Sequence, residues 1–232
     1  MAAAKAKKHA PRRRRFFRRL RGWGPVIATL AVVVVVVVAM IVVGNVTRGS
    51  KEIPQQTATA EGRTLGQADA PVTIINYSDF QCPYCATAAR EILPRIEESF
   101  INTGLVRFEF RHMAFIGPES VLAAEASECA LDQGHFWDYH NKLFSSQQGE
   151  NKGAFASENL KRFAGELGLD QTKFDSCLDS HQHVDLVRQE TEAGKTAGVE
   201  STPTFFIGDE KMTGLRPYSE FEKAIKKALG SQ

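Results

Sequence analysis

Residues 79–85 read Asp-Phe-Gln-Cys-Pro-Tyr-Cys, and two of the chain's four cysteines stand there with two residues between them. The run before them, "PVTIINYS" at 71–78, is rich in β-branched residues and reads as a strand. The run after them, "PYCATAAREILPRIEESF" at 83–100, reads as a helix with Pro94 kinking its middle. The motif therefore sits where a strand hands over to a helix. Cys82 is placed as N-cap, Pro83 as the first helical residue, where its missing N–H costs no helical bond, Tyr84 next, and Cys85 one turn in. A helix start leaves N–H groups unpaired and carries the positive end of the dipole. Both favour a thiolate at Cys82, since a free cysteine titrates near ~8.5 and cysteines in such settings at about 3.5–7.5. A thiolate is the nucleophile of disulfide exchange, and a thiol of low pKa is also a good leaving group. Cys82 is thus the attacking or attacked sulfur and Cys85, deeper in the helix, the resolving one. Two other readings stay open on the residues alone. One is a zinc site, which needs two more ligands, with Cys129 and Cys177 at hand but in no second CxxC. The other is a purely structural CxxC disulfide.

Which of these holds depends on the compartment. The chain has 232 residues and a formal net charge of +2. Residues 1–24 carry ten Lys or Arg and no acid, leaving 19 basic against 27 acidic side chains in the rest. Basic charge confined to one tail excludes a nucleic-acid-binding protein as a whole. The tail is followed by "VIATLAVVVVVVVAMIVV" at 26–43, without a charge. Residues 25–46 are long enough for a membrane-spanning helix, and the preceding arginines set the N-terminus in the cytoplasm. The expectation is a single-pass signal-anchor, with everything after it extracytoplasmic, in a periplasm-like space. A cleaved signal peptide and a twin-arginine signal are the competing readings; each still exports the cysteines.

Residues 47–63 are polar and aperiodic and read as a linker, so the folded part is expected over 64–232. "LVRFEFRHMAF" at 105–115 alternates apolar and charged residues, a strand with one polar face. A helical block follows over about 117–197. "PTFFIGDEKMTG" at 203–214 suggests two short strands around a Gly-Asp turn, and 217–229 a last amphipathic helix. The order β-α-β, helices, β-β-α fits an α/β thioredoxin fold with an inserted helical domain. In that fold Pro203, in "STPTFF" at 201–206, faces the CxxC in the cis form, and an extended substrate pairs with the backbone of Thr202. An ordinary trans-proline at a strand start is the plain alternative.

Three stretches together, "LGQADAPVTIINYSDFQCPYC" at 65–85, "LDQGHFWDYHNKLF" at 131–144 and "GVESTPTFFIG" at 198–208, resemble the DsbA-like thiol:disulfide oxidoreductases in their membrane-tethered bacterial form. The resemblance covers about residues 62–229. It implies an enzyme that introduces disulfide bonds into exported, still-folding proteins with free thiols; isomerase-type relatives carry a dimerisation region before the catalytic domain, and the short polar stretch at 44–63 leaves no room for one, so a monomer is expected. It also implies re-oxidation by a quinone-linked membrane partner of the DsbB or vitamin K epoxide reductase type, with no metal and no bound cofactor. A disulfide isomerase or reductase, or a thioredoxin-fold binding module without turnover, are the other readings. One position departs from the pattern: many members carry a buried acid six residues before the first cysteine, where this chain has Asn76. An amide cannot relay the proton of Cys85. Asp79 is the candidate in its place, or it merely orients the loop.

Outside the cytoplasm two unpaired thiols are unusual, so Cys129 and Cys177 are expected to form a disulfide stapling the helical block. Two separate buried thiols, or a regulatory redox pair, are the alternatives. His135 and His140 are expected to pack the block with Phe136, Trp137 and Tyr139. His181 and His183 point apart and make a poor metal pair. His112 ends the second strand without an evident task.

Overall fold

The computed structural model describes residues 30–36 and 52–230. Two compact units divide the chain, Met1–Ser50 and Lys51–Gln232. In the first, residues 30–36 are helical and their valines exposed. The anchor expected over 25–46 otherwise lies outside the described residues, as do the basic tail and the start of the linker. Among the described residues no helix is long and apolar enough to cross a membrane.

The second unit is built on a six-stranded mixed sheet in the order β1-β2-β4-β3-β5-β6. Its strands are β1 (Ala60–Glu61), β2 (Thr64–Leu65), β3 (Val72–Ser78), β4 (Val106–His112), β5 (Thr204–Ile207) and β6 (Glu210–Thr213). β3 and β4 run parallel, with Ile74 opposite Phe108, Asn76 opposite Phe110 and Ser78 opposite His112. The other neighbours are antiparallel. β4 buries every second residue, Val106, Phe108, Phe110 and His112, as its alternation requires.

The β3–β4 crossover is one helical run from Pro83 to Ile101. It is α-helical over α1 (Pro83–Thr87) and α2 (Leu93–Ile96), and widens to π-turns over Ala88–Ile92 and Glu97–Ile101. The kink expected at Pro94 is taken up by this widening: Pro94 has no N–H for an i→i−4 bond, and turns with a longer hydrogen-bond period absorb the mismatch. Five helices separate β4 from β5: α3 (Pro118–Leu131), α4 (Phe136–Ser145), α5 (Ser157–Glu166), α6 (Gln171–Asp179) and α7 (Val184–Thr196). The last helix is α8 (Tyr218–Leu229), whose Phe221 meets Phe205 of β5 edge-on at 4.8 Å.

The core is one cluster in which the strand phenylalanines Phe108, Phe110 and Phe205 meet Phe80, Phe136, Phe144 and Phe221. A smaller cluster, Tyr77, Met113 and Val199, forms where Gly194 of α7 comes close. A Cβ on Gly194 would stand 2.9 Å from Met113 Sδ and 3.0 Å from the Tyr77 ring, so any larger residue forces those side chains to move.

The linker expected over 47–63 needs correction. From residue 52 on it belongs to the folded unit: Ile53 is buried in the core. The backbone N–H groups of Thr57 and Ala58 both donate to the buried Glu97 carboxylate, and Asn141 Nδ2 donates to Pro54 O. Side chains of other elements hold this segment one group at a time, an arrangement that leaves no periodicity in the sequence.

Cys129 of α3 and Cys177 of α6 are joined by a disulfide spanning 48 residues. Closing a loop of that length constrains the unfolded chain by about 4 kcal/mol. A Cys129→Ser, Cys177→Ser double variant is expected to lose stability of about that size, seen as a lower denaturant midpoint, with a steeper slope because the freed unfolded chain exposes more surface. An unchanged midpoint contradicts a stapling role.

Candidate active site

Cys82 occupies the N-cap of α1 with φ −70° and ψ 120°, and Pro83 follows at the first helical position. The loop that presents it is pinned from below. Asp79, 1% exposed, accepts four hydrogen bonds: from Gln81 N (2.8 Å) and Ser120 Oγ (2.6 Å) on one oxygen, from Phe115 N (3.0 Å) and Ile116 N (3.1 Å) on the other. Burial pushes its pKa up while these four donors hold it down. The carboxylate is fully engaged in holding the loop to α3 and to the segment after β4. The Gln81 side chain donates to Ser120 Oγ and Asn151 Oδ1 and accepts from Asn151 N. Gln147 Nε2 donates to the carbonyls of Phe80 (2.6 Å) and Cys82 (3.1 Å). The segment between α4 and α5 thus clasps the motif loop.

Across from the motif, the Thr202–Pro203 peptide bond is cis. Pro203 O accepts from Gly214 N, and Thr202 O lies 3.3 Å from Cys82 Sγ, which donates to it as a thiol. The remaining groups around Cys82 favour the anion. Its pKa is lowered to about 6, first by the hydrogen bond from the Cys85 thiol, against the opposing effect of burial. The Thr202 side chain and the N–H groups of Cys85 and Tyr84 add to the lowering. Those two N–H groups are the unpaired donors that a helix start supplies. Cys85 goes the other way: burial, then the neighbouring Cys82, push its thiol well above the usual range. Both cysteines are buried and in the dithiol form, while Pro83 and Tyr84 between them are exposed. One sulfur ready to ionise beside one that resists, facing a cis-proline, is the arrangement of thiol–disulfide exchange.

The chain belongs to the thioredoxin family, among its DsbA-like thiol:disulfide oxidoreductases. Residues 58–227 match the family model described as thioredoxin. The chain is 32% identical over 189 residues to disulfide bond formation protein D of Bacillus subtilis, covering 78% of this chain and 83% of that one. It superposes on the crystal structure of oxidised BdbD from Bacillus subtilis with a TM-score of 0.68 at 29% identity, covering 77% of this chain and 98% of that one. A further match, 32% identical over 168 residues, is to the Na(+)/H(+) antiporter NhaA 3 of Salinispora tropica; it covers 72% of this chain but 24% of that protein.

The oxidoreductase brings Cys82, Cys85, Thr202 and Pro203 together, with Pro83, Tyr84 and Asp79 around them. Asn76 stands apart. It is buried, its Oδ1 has no hydrogen-bond partner among the described residues, and it lines a small cavity with Ala88, Ala89, Ile92, Phe108 and Phe205. Ser78, whose side chain favours the Cys85 thiolate against burial, has no motif signal in the sequence, and neither do Gln81, Gln147 and Asn151. The group of side chains with metal-ligand spacing among the described residues is Cys129, Cys177 and His183. Its two sulfurs are bonded to each other and so offer no thiolate. His181 and His183 each pair with a separate carboxylate, Glu125 and Asp132. His140 packs among Phe80, Phe110, Phe136 and Phe144, and burial lowers its pKa to about 4.

Alkylation of the dithiol form by iodoacetamide is expected to rise with pH through an inflection near 6, with the label on Cys82 alone. An inflection near the ordinary thiol value of ~8.5 contradicts the site's electrostatics.

Proposed function

We propose that the enzyme works as an oxidase, taking two electrons and two protons from pairs of thiols in exported proteins. A substrate thiolate attacks Cys82 Sγ of the Cys82–Cys85 disulfide. The S–S bond breaks, Cys85 leaves as the thiolate, and a mixed disulfide with Cys82 forms. A second substrate thiolate attacks its own partner sulfur, releases Cys82 as a thiolate, and leaves the substrate oxidised and the enzyme as a dithiol. The observation that carries this direction is the 32% identity, over 83% of its length, to disulfide bond formation protein D of Bacillus subtilis; the lowered Cys82 pKa supports it, since a stabilised thiolate favours the reduced enzyme and makes its disulfide a stronger oxidant. Substrate backbone pairs beside Thr202 at the cis-proline, and exposed Tyr84 and Pro83 border the docking surface.

In this reading the apolar run at 25–46 is an uncleaved anchor with the basic tail in the cytoplasm, and the catalytic unit acts outside as a monomer. The charge-free run preceded by ten Lys or Arg supports it. So does the 48-residue structural disulfide, a bond that persists in oxidising compartments. The dithiol is returned to the disulfide by a quinone-linked membrane oxidase of the DsbB or vitamin K epoxide reductase type. The family resemblance supports that partner.

Redox titration of the Cys82/Cys85 pair against glutathione is expected to give a potential above about −180 mV, on the oxidising side of protein disulfide isomerase. A value near −270 mV, as in thioredoxin, contradicts the oxidase reading and favours a reductase. Cys82→Ser and Cys85→Ser are each expected to abolish catalytic oxidation of a dithiol peptide.

A further inference from the structure

Cys82 stands just outside α1, with φ −70° and ψ 120°, and the next residue is a proline without an N–H. Rotation about ψ of Cys82 swings its side chain relative to the N–H groups of the helix start, so the sulfur meets those donors only while this backbone is held. It is held at both ends. Cys82 N donates to Asp79 O at 3.0 Å. Cys82 O accepts from Ala86 N at 3.2 Å, a bond of the helix itself, and from Gln147 Nε2 at 3.1 Å. The same Nε2 lies 2.6 Å from Phe80 O. One side-chain amide thus bridges the carbonyls of residues 80 and 82. Both are acceptors, so the nitrogen end of the amide faces the loop and turns its hydrogens to it.

The segment that carries Gln147, residues 146–156 between α4 and α5, has no regular structure, yet it is tied down at several points. Gly153 N and Phe155 N donate to the Glu119 carboxylate at 2.8 and 2.9 Å, and the Phe155 ring is buried in the core. Asn151, with φ 51°, donates from its backbone to Gln81 Oε1 at 2.6 Å and accepts from Gln81 Nε2 at 3.2 Å. Its Nδ2 donates to Ile116 O at 3.4 Å. Gly117 makes room for this reach, since a Cβ there would stand 2.2 Å from Asn151 Oδ1. A connection between two helices needs none of these bonds. Together they hold the segment, and Gln147 with it, against the loop that presents Cys82.

We propose that Gln147 is a positioning residue for thiol–disulfide exchange: its amide fixes the Cys82 backbone so that the sulfur stays over the donors of the helix start, both when it attacks and when it leaves. With the amide gone, Phe80 O and Cys82 O lose their shared donor, and the loop relaxes away from the geometry that serves the sulfur. The amide hydrogens also set positive partial charge beside the loop, which favours an anion there. Gln147 acts through the Cys82 backbone and moves no electron or proton itself. The helical block between β4 and β5 thereby sets the reactivity of a cysteine that the β3–α1 junction presents. The inference rests on Cys82 being the exchanging sulfur and is independent of the direction of net electron flow.

The test compares Gln147→Met, which keeps an unbranched side chain of similar length and removes the donors, with the unmodified full-length enzyme, the Cys129–Cys177 bond intact in both. The iodoacetamide inflection of Cys82 is expected to rise by about half a unit in the variant, so that alkylation at pH 5.5 slows about threefold. The equilibrium with glutathione at pH 7 is expected to move about threefold toward the enzyme disulfide, because the dithiol form loses part of its stabilised anion. A merely structural role lowers the denaturant midpoint of the dithiol and disulfide forms alike and leaves the inflection and the equilibrium where they were; that result overturns the proposal. An unmodified enzyme with no inflection near 6 overturns the lowered thiol itself, and the part given to Gln147 with it. Should Gln147→Met fail to fold, the unmodified protein decides. The side-chain amide protons of Gln147 are expected to shift with the Cys82 inflection in the dithiol form and to stay fixed over the same pH range in the disulfide form. Amide protons that ignore the titration overturn the proposal.

Discussion

The chemistry of this enzyme depends on keeping a negative charge on the sulfur of Cys82, a residue that is 5% exposed. Burial alone would raise the pKa of Cys82, as it does for Cys85 three residues on. The difference is position within one helical turn. Cys82 stands at the helix start, where the N–H groups of Tyr84 and Cys85 have no carbonyl to bond and are turned to the sulfur. Cys85 lies past those donors, and its thiol hydrogen serves the neighbouring anion. The hydrogen bond from the Cys85 thiol lowers the Cys82 pKa most and these backbone groups add to it, so the order of the two sulfurs along one helix start separates them into a leaving group and a resolving thiol.

Much of the surrounding structure holds that helix start in place. Asp79 and Gln81 tie the motif loop to α3 through Ser120, and Gln147 ties it to the segment after α4. The helical block is thus attached to the site by hydrogen bonds, and its own frame is closed by the Cys129–Cys177 bond. On the far side the cis Thr202–Pro203 bond brings a backbone carbonyl and a threonine side chain to the same sulfur. The carbonyl accepts from the thiol and the side chain favours the thiolate, so both protonation states find a partner.

The features legible in the sequence were those written in short local patterns. The β3-to-α1 junction follows from "PVTIINYS" and Pro83, and β4 from the alternation of Val106, Phe108 and Phe110 with charged residues. Pro203 was legible only together with the CxxC, because proline at a strand start is ordinary and it is the thioredoxin order of elements that sets it opposite the motif. The strap at residues 52–58 gave none: its contacts come from Glu97 and Asn141, some 40 and 85 residues away in the chain. The pairing of Ser78 with His112 was invisible for a related reason. Each is an unremarkable strand-end residue, and only the parallel register of β3 and β4 sets them side by side. For Asp79 the sequence left two tasks open, proton relay or orienting the loop, and its bonds to the N–H groups of Phe115 and Ile116, far along the chain, are of the second kind.

A stabilised Cys82 thiolate exists only in the folded dithiol form. Its pKa is depressed on folding, so the stabilisation grows as pH rises above about 6 and is lost as pH falls through that value. Unfolding by guanidinium at pH 7.5, with the Cys82–Cys85 pair reduced in one sample and oxidised in the other and the Cys129–Cys177 bond intact in both, measures this directly. The dithiol form should be the more stable of the two. A disulfide form of equal or greater stability, as for an ordinary cross-link, would mean that the helix start does not hold the charge that the chemistry requires.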